Sequence, residues 1–325
     1  MLEKLIWHYW INHSVINVAD IVPKVAIVTD DPGWHGRQLK EALAAHGLSS
    51  QYVSSMDCHM DIGESGTEIN LPGFNTLPLA VFVRGVPGGS LEQVIFRLNI
   101  LHALSEMGIV VYNNPRGIER TVDKVMTSFL LKQADIPTPG TWVCESKEKA
   151  EFIYQQECGQ GRKLVSKPLF GSQGVGVHLL DVETGLGIVH DETFAGVYYL
   201  QSYVDCGDKK SFDIRVFVIN GKAVSAMTRR STNWITNRAQ GAECEPLKLD
   251  RELSRLSEAA VKAVGIDYAG VDLIPDTSGR LQVIEVNSIP AWWGLQKVTN
   301  FNIASSLIDD MVNRLSHTDS LTVLP

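Results

Sequence analysis

Apolar residues in this chain cluster in short runs, and the runs alternate with stretches whose apolar positions recur at helical spacing. Pro23-Lys-Val-Ala-Ile-Val-Thr-Asp30 predicts a buried strand that ends in a turn at Asp31-Pro-Gly33. Residues 35–46 follow, with Leu39, Leu43 and Ala44 on a helical stripe that stops at Gly47. Leu79-Ala-Val-Phe-Val-Arg84 predicts a second strand, Leu91 to Met107 a helix ending at Gly108, and Ile109-Val-Val-Tyr112 a third strand. Strands alternating with helices imply a parallel, doubly wound α/β sheet, since a parallel pair must be joined by a crossover. This first domain is expected at about residues 1–120.

Residues 121–134 predict a helix, stopped by Ile136-Pro-Thr-Pro139. Thr141-Trp-Val143, residues 147–157 and Lys163-Leu-Val-Ser-Lys167 read as strand, helix and strand, and the glycine-rich Gly171-Ser-Gln-Gly-Val-Gly176 leads into Val177-His-Leu-Leu180. Strands then dominate: Tyr198 to Val204, Asp213 to Ile219 and Lys222 to Arg230, with Asn220-Gly221 as a hairpin turn. Arg251 to Val264 carries an amphipathic helical stripe. The strands Tyr268-Ala-Gly-Val-Asp272-Leu-Ile and Leu281-Gln-Val-Ile-Glu285-Val-Asn287 follow, then a last helix around 302–314 and a frayed tail beyond Ser316. The expected division is a central α+β subdomain at 121–195, carrying the glycine loop, and a second at 196–325.

At 325 residues the chain exceeds one small core, in keeping with two or three domains. With 44% apolar and 20% charged residues it has the composition of a globular protein. A net charge of −8 argues against broad contact with nucleic-acid phosphates, while a few local lysines would suffice for a nucleotide. The five cysteines are scattered, odd in number and without a Cys-x-x-Cys pair, which favours reduced thiols and a cytoplasmic setting over disulfides or zinc. The first ten residues are interrupted by Glu3, Lys4 and His8 and read as no signal peptide, and no apolar run is long enough to cross a bilayer. Trp7, Tyr9 and Trp10 are expected to pack on the first domain or at a subunit contact. A symmetric dimer or tetramer is the ordinary expectation for assembly.

Three oxygen-bearing side chains stand at the ends of the last two strands. Strand residues alternate faces, so Glu285 and Asn287 point the same way, and Asp272 can join them from the neighbouring strand. Two carboxylates and an amide oxygen form a hard-oxygen set suited to Mg2+, which prefers carboxylates plus substrate phosphates. A polar strand end facing water would give the same pattern. Gly171, Gln173 and Gly174, with Ser172 between them, form a phosphate-loop candidate, because glycines let several backbone N–H groups point at one anion. It is neither a Walker loop nor a dinucleotide fingerprint, since no Gly-Lys-Ser/Thr follows and a strand follows instead of a helix. Lys167 ends an otherwise apolar strand, an unusual place for a lysine unless an anion meets it. Lys124, in Thr121-Val-Asp-Lys-Val-Met-Thr127, taken by itself reads first as a solvated surface residue.

The order of these features is specific although each is weak. A helix lysine is followed by a strand lysine, a glycine loop, Tyr199-Leu-Gln-Ser-Tyr-Val204, Asp213-Ile-Arg215, the pair Arg229-Arg230, Asn237, Asp272, and Glu285-x-Asn287-x-x-Pro. From Asp123 to Met311 the chain resembles the ATP-grasp superfamily and, within it, the RimK-like α-L-glutamate ligases. The resemblance implies two α+β subdomains gripping ATP behind an N-terminal α/β domain. It implies that Lys124 and Lys167 hold phosphates, that backbone groups of Ser202 and Tyr203 meet the adenine and that Asp213 lies near the ribose. Ile235, Thr236 and Asn237 would border the nucleotide, with Asp272, Glu285 and Asn287 holding Mg2+, or Mn2+ in its place. Ser202 stands where many relatives carry Glu, and Ala291-Trp-Trp-Gly-Leu-Gln296 follows Pro290 where a glycine often stands. That pattern is similar to a branch linked to tetrahydromethanopterin biosynthesis.

The implied reaction is ATP-dependent joining of an amine, glutamate, to a small-molecule carboxylate acceptor through an acyl phosphate. Arg230 is the first candidate for stabilising the acyl-phosphate oxygens and Arg215 the second, an ion pair with a nearby carboxylate being the other reading of each. Two alternatives stand beside it. One is a ligase of the D-alanine–D-alanine or glutathione type, which would differ only in the acceptor pocket. The other is a non-catalytic nucleotide sensor, which would need neither a full metal set nor paired lysines. Arg84 and the loop Gly85-Val-Pro-Gly-Gly-Ser90 are a candidate wall for the acid, or a structural turn.

Overall fold

The computed structural model describes residues 24–64, 66–171, 173–186, 194–207 and 211–318. Its first layer runs β1 (Lys24–Val28), α1 (Gly33–Ala45), β2 (Ser49–Val53), an antiparallel hairpin of β3 (His59–Gly63) and β4 (Gly66–Asn70), β5 (Ala80–Val83), α2 (Leu91–Glu106) and β6 (Val110–Tyr112). Strands β2-β1-β5-β6 form a parallel sheet in that order. The alternation along β1 divides its two faces: Val25 and Ile27 pack with Leu39 and Leu43 of α1, and Ala26 and Val28 with Ile100, Leu101 and Leu104 of α2. Ser90 opens α2 with a capping box in which Gln93 reciprocates. The doubly wound expectation therefore matches the sheet. Strands β2, β3 and β4 had no sequence signal, since β2 is a half-buried edge strand reading Ser-Ser-Gln-Tyr-Val and the β3–β4 hairpin is mostly exposed. Trp7, Tyr9 and Trp10 lie outside the described residues.

The single helix expected at 121–134 is two helices, α3 (Pro115–Val122) and α4 (Lys124–Gln133). Asp123 between them is extended, and its carboxylate accepts from the N–H groups of Val125 at 2.8 Å and Met126 at 3.1 Å, capping α4. Next come β7 (Thr141–Cys144), α5 (Lys147–Cys158), β8 (Leu164–Lys167), β9 (His178–Leu180) and β10 (Tyr198–Ser202). These strands make an antiparallel sheet ordered β7-β10-β8-β9, covered by Ala150, Ile153 and Tyr154 of α5. Because β10 lies between β7 and β8, the central sheet reaches past residue 195, where a boundary was expected. Conversely, Leu131 of α4 and Ile136 belong to the core of the following sheet.

That last sheet comprises β11 (Ser211–Ile219), β12 (Lys222–Ser231), β13 (Glu243–Leu247), β14 (Tyr268–Pro275) and β15 (Leu281–Asn287), antiparallel and ordered β13-β12-β11-β14-β15. The Asn220-Gly221 turn has positive φ at both residues, 49° and 67°, as a type I′ hairpin demands. Helix α6 (Arg251–Val264) lays Leu253, Leu256, Ala260 and Val264 over Val216, Val218, Val271 and Val283. The chain ends in the short α7 (Trp293–Gln296) and α8 (Ile303–Thr318), longer than the helix expected at 302–314.

The first and last sheets share a core. Val25, Ile27, Phe82 and Tyr112 of the first pack with Phe217, Tyr268 and Trp292 and with Leu307, Ile308 and Met311 of α8. Asn113 fixes this junction. Its amide nitrogen donates to the carbonyls of Tyr268 at 2.8 Å and Ser288 at 2.5 Å, and its oxygen accepts from the N–H groups of Asp267 at 2.8 Å and Tyr268 at 2.9 Å. Asn113→Ala leaves four buried backbone groups without that partner. It is expected to lower unfolding free energy by about 3 kcal/mol, read from denaturant midpoints at unchanged slope.

Candidate active site

The register of the last sheet gathers charge on one face. Asp213 pairs with Arg229 across β11 and β12, Arg215 with Asp272 across β11 and β14, and Asp272 with Glu285 across β14 and β15. Directly opposed residues project to the same side, so these five meet. Asn287 joins them: with its nitrogen donating, its amide spans Glu285 Oε1 at 3.3 Å and Arg215 Nη2 at 3.2 Å. A β-bulge at Ile284 adjoins the Asp272–Glu285 pair and turns Ile284 into the cleft wall.

Four of these groups form a buried chain of ion pairs. Arg215 grips Asp272 with two bonds of 2.6 Å, Arg229 grips Asp213 at 2.6 and 2.5 Å, and Arg229 Nη2 also lies 3.0 Å from Asp272. Thr236 adds a third donor to Asp213 at 2.7 Å. Burial opposes the charge on Asp272, but the two guanidiniums outweigh it and hold the carboxyl below its usual range. Asp213 goes the other way, because burial exceeds what Arg229 returns.

The central sheet supplies the opposite wall. Lys167 ends β8 and donates to Gln201 Oε1 of β10 at 2.7 Å. Burial pulls its amine down to about 8; Glu285 and Asp272 pull it back up and Lys124 lowers it further. Lys124, at the start of α4, donates to the carbonyls of Leu169 and Gly171, both at 3.1 Å, and burial lowers its pKa against the pull of Glu285. The lysine that could have been a solvated surface residue thus ties α4 to the base of the glycine loop.

Most residues singled out in the sequence line one cleft, which holds about 1100 Å³ not filled by protein atoms, part of it open to solvent. Lys124, Lys167, Gly171, Gln173, Gly174, Ser202, Tyr203, Asp213, Ile235, Thr236, Asn237, Asp272 and Glu285 all border it. Ser172 lies outside the described residues. Gly174 has φ +76°, and a Cβ there would come within 2.9 Å of Asn237 Oδ1 and 3.0 Å of Ile235 Cγ2, so the loop packs directly on the 235–237 segment. Asp213 borders the cleft with its carboxylate saturated by Arg229 and Thr236. The N–H groups of Ser202 and Tyr203 are bonded to Gly140 O at 2.8 Å and Lys163 O at 3.0 Å, so neither can donate to a ligand. Val204 N–H, at the same edge, bonds to nothing among the described residues.

Arg230 is not brought to the cleft. It is half-exposed on the opposite side of β12, bonded to Glu245 at 3.0 Å and lying over the Phe212 ring at 4.8 Å. Arg229 takes the inward position instead. The reason is a bulge: Phe217 pairs with Ser225 but Val218 with Ala223, leaving Val224 as an extra residue that shifts the register by one. Arg215 reaches the site, held by Asp272. Arg229, Gln201, Val204 and Trp234, whose ring meets Tyr203 edge-on at 6.3 Å, complete the lining and were not foreseen. Only the Arg-Arg pair and the strand run before Val204 hinted at them.

A family model described as a RimK-like ATP-grasp domain matches residues 121–311. The chain is similar to a tetrahydromethanopterin:α-L-glutamate ligase of Methanococcus maripaludis, 34% identical over 295 residues that cover 89% of this chain and 98% of the relative. It is also similar to a protein of Legionella pneumophila named a probable α-L-glutamate ligase, 30% identical over 292 residues, covering 88% and 94%. Two solved structures share its fold. The ATP-grasp ligase PsnB, complexed with a precursor peptide and AMPPNP, superposes with TM-score 0.67 at 21% identity, covering 90% of this chain and 97% of that one. A RimK domain ATP-grasp protein from Sphaerobacter thermophilus gives 0.66 at 20%, covering 89% and 99%.

The Lys167 amine is expected to titrate near pH 8 in the nucleotide-free protein, and Glu285→Gln to move it lower, because the carboxylate favours the charged form. Between pH 8 and its unfolded value near 10.4 the unfolded chain binds more protons, so this amine's contribution to stability rises with pH across that window. NMR of methyl-labelled lysine checks both values; a Lys167 titration unchanged by Glu285→Gln would refute the coupling.

Proposed function

The chain belongs to the RimK-like ATP-grasp family, and from that premise we propose that it is an ATP-dependent ligase joining L-glutamate to a carboxylate acceptor through an acyl phosphate. The observation that carries this reading is the meeting of Lys124, Lys167 and Arg229 with Asp272, Glu285 and Asn287 across one cleft. A cleft that only bound nucleotide would need no such guanidinium between two carboxylates. The acceptor belongs to the class of pterin-linked carboxylates, in keeping with the name of the Methanococcus relative.

The acceptor carboxylate oxygen attacks the γ-phosphorus of ATP, and ADP leaves. The glutamate nitrogen then attacks the acyl carbon, phosphate departs with the bonding pair, and the nitrogen loses a proton. Lys124 and Lys167 draw charge from the phosphates, and Arg229 faces the oxygens of the transferring group. Val204 N–H and the Tyr203 carbonyl meet the adenine edge. Asp213 acts by holding Arg229 and not by touching the ribose.

The residues present fit a Mg2+ ion. No cation bonds to Glu285 among the described residues, and Asp272 Oδ1 accepts a single hydrogen bond, so oxygen lone pairs remain beside the Asn287 amide. Asp272, Glu285 and Asn287 would hold it, and it would neutralise phosphate charge.

Incubation with ATP, Mg2+, L-glutamate and a panel of acids that includes pterin-linked carboxylates should release one phosphate per amide formed. ATP turnover independent of every acid would overturn the ligase reading. Glu285→Gln is expected to lower turnover about a hundredfold or more. Arg230→Ala, on the far side of the sheet, should keep turnover within about threefold, whereas Arg229→Lys loses the two-pronged grip and most activity.

A further inference from the structure

The parallel sheet has a topological switch point that the nucleotide cleft does not use. Its order β2-β1-β5-β6 sends the chain one way from β1 and the other way from β5, so the switch point lies between their carboxyl ends, where open α/β sheets take ligands. Arg84 follows β5 there, with its own N–H and that of Gly85 bonded to Val28 O at 2.9 and 3.0 Å. The loop after it is fixed by buried Arg97, which donates to Pro87 O at 2.9 Å and Gly88 O at 2.7 Å.

Three donors lie at this corner, and no carboxylate bonds to any of them among the described residues. Arg84 Nε is fully buried without a partner, and among the described residues the guanidinium makes no ion pair and one long hydrogen bond, of 3.5 Å to Ile289 O. Its guanidinium lies 5.4 Å from the centre of the Trp292 ring, and Trp292 Nε1 is likewise buried and unpartnered. His35, whose ring stands edge-on to Trp292 at 4.6 Å, accepts from the N–H groups of Trp292 at 3.1 Å and Trp293 at 3.3 Å through Nε2. Its proton therefore sits on Nδ1, a third donor. The groups facing Arg84 are His35, Asp31, which is exposed, and Tyr268, whose hydroxyl already donates to Val83 O at 3.1 Å. A buried guanidinium and a buried indole N–H each incur the cost of a missing acceptor, which an anion would remove.

We propose that Arg84, with Trp292 and His35, forms a carboxylate subsite that holds the non-reacting carboxylate of a substrate of the ligation, apart from ATP. The corner is joined to the metal-facing residues by the 287–292 segment: Gly270 packs on Pro290 and on Arg215, and Ile289 offers its carbonyl to Arg84. Two sources share this chemistry, the α-carboxylate of glutamate and a second carboxylate on the acceptor. The inference rests on the ligase reading and deepens it.

The test uses the full chain with an ATP analogue and Mg2+. L-glutamate and, as a carboxylate acceptor probe, γ-L-glutamyl-L-glutamate are titrated while tryptophan fluorescence and heat are recorded, Trp292 being a reporter at the site. Arg84→Gln is expected to weaken at least one of them roughly tenfold or more while the analogue's affinity moves less than about twofold. Loss confined to L-glutamate assigns the subsite to the amine substrate, and loss confined to the dipeptide assigns it to the acceptor. Arg84→Lys keeps the charge without the fork and should fall between; it is read in place of Arg84→Gln should the latter not fold. Unchanged affinity for both probes, or binding of neither by the wild-type protein with the analogue bound, overturns the proposal. Arg84-dependent carboxylate binding without amide or hydroxamate formation would leave the subsite standing and remove the ligase reading.

Discussion

Arg229 holds two carboxylates at once, and the last sheet is organised around that fact. Asp213 and Asp272 sit on neighbouring strands with almost no exposure, as does Arg229 itself. Isolated, each would be too costly to bury; together with Arg215 and Thr236 they satisfy one another. The arrangement is specific because it is so demanding. Each carboxylate must meet its guanidinium with two parallel bonds, which fixes the register of β11 against both β12 and β14. The same bonds keep Asp272 ionised beside Glu285, so the oxygen-rich end of the cleft is set before any ligand arrives.

The two walls of the cleft are held very differently. The last sheet is joined to the parallel sheet through a common core and through the Asn113 amide, so Arg84, Trp292, Asp272 and Glu285 ride on one body. The central sheet meets that body with polar contacts: the loop glycine packed on Asn237, and Gln240 donating to Gln173 O at 3.2 Å. The corner around Arg84 thus sits on the consolidated side, and Lys167 comes from the other. Separation of this kind suits a two-step reaction, in which an acyl phosphate must stay in place until the amine attacks it.

Much of this was legible in the sequence for a simple reason. Strands buried on both faces read as apolar runs, so Val25 to Val28 and Ala80 to Val83 announced themselves, and Asn220-Gly221 named its own turn type. The shared face of Glu285 and Asn287 was visible because period-two alternation puts them together without any tertiary knowledge. What could not be read depends on contacts between distant residues. Strands β2 and β13 are edge strands with polar sequences, and Asp123 capped a helix where continuous periodicity suggested one longer element. The pairing of Asp213 with Arg229, and the bonding of the Ser202 and Tyr203 N–H groups, are likewise fixed only by the folded register.

The bulge at Val224 has a consequence for how such sites survive change. Were the hairpin closed by Asn220-Gly221 paired without a bulge, Arg229 would lie opposite Phe212 and Arg230 opposite Ser211, so Arg230 would turn to the face now taken by Arg229 but two residues along from Asp213. Two successive arginines therefore keep a guanidinium on that face in either register. Only with the bulge does one arrive opposite Asp213 and between the two carboxylates.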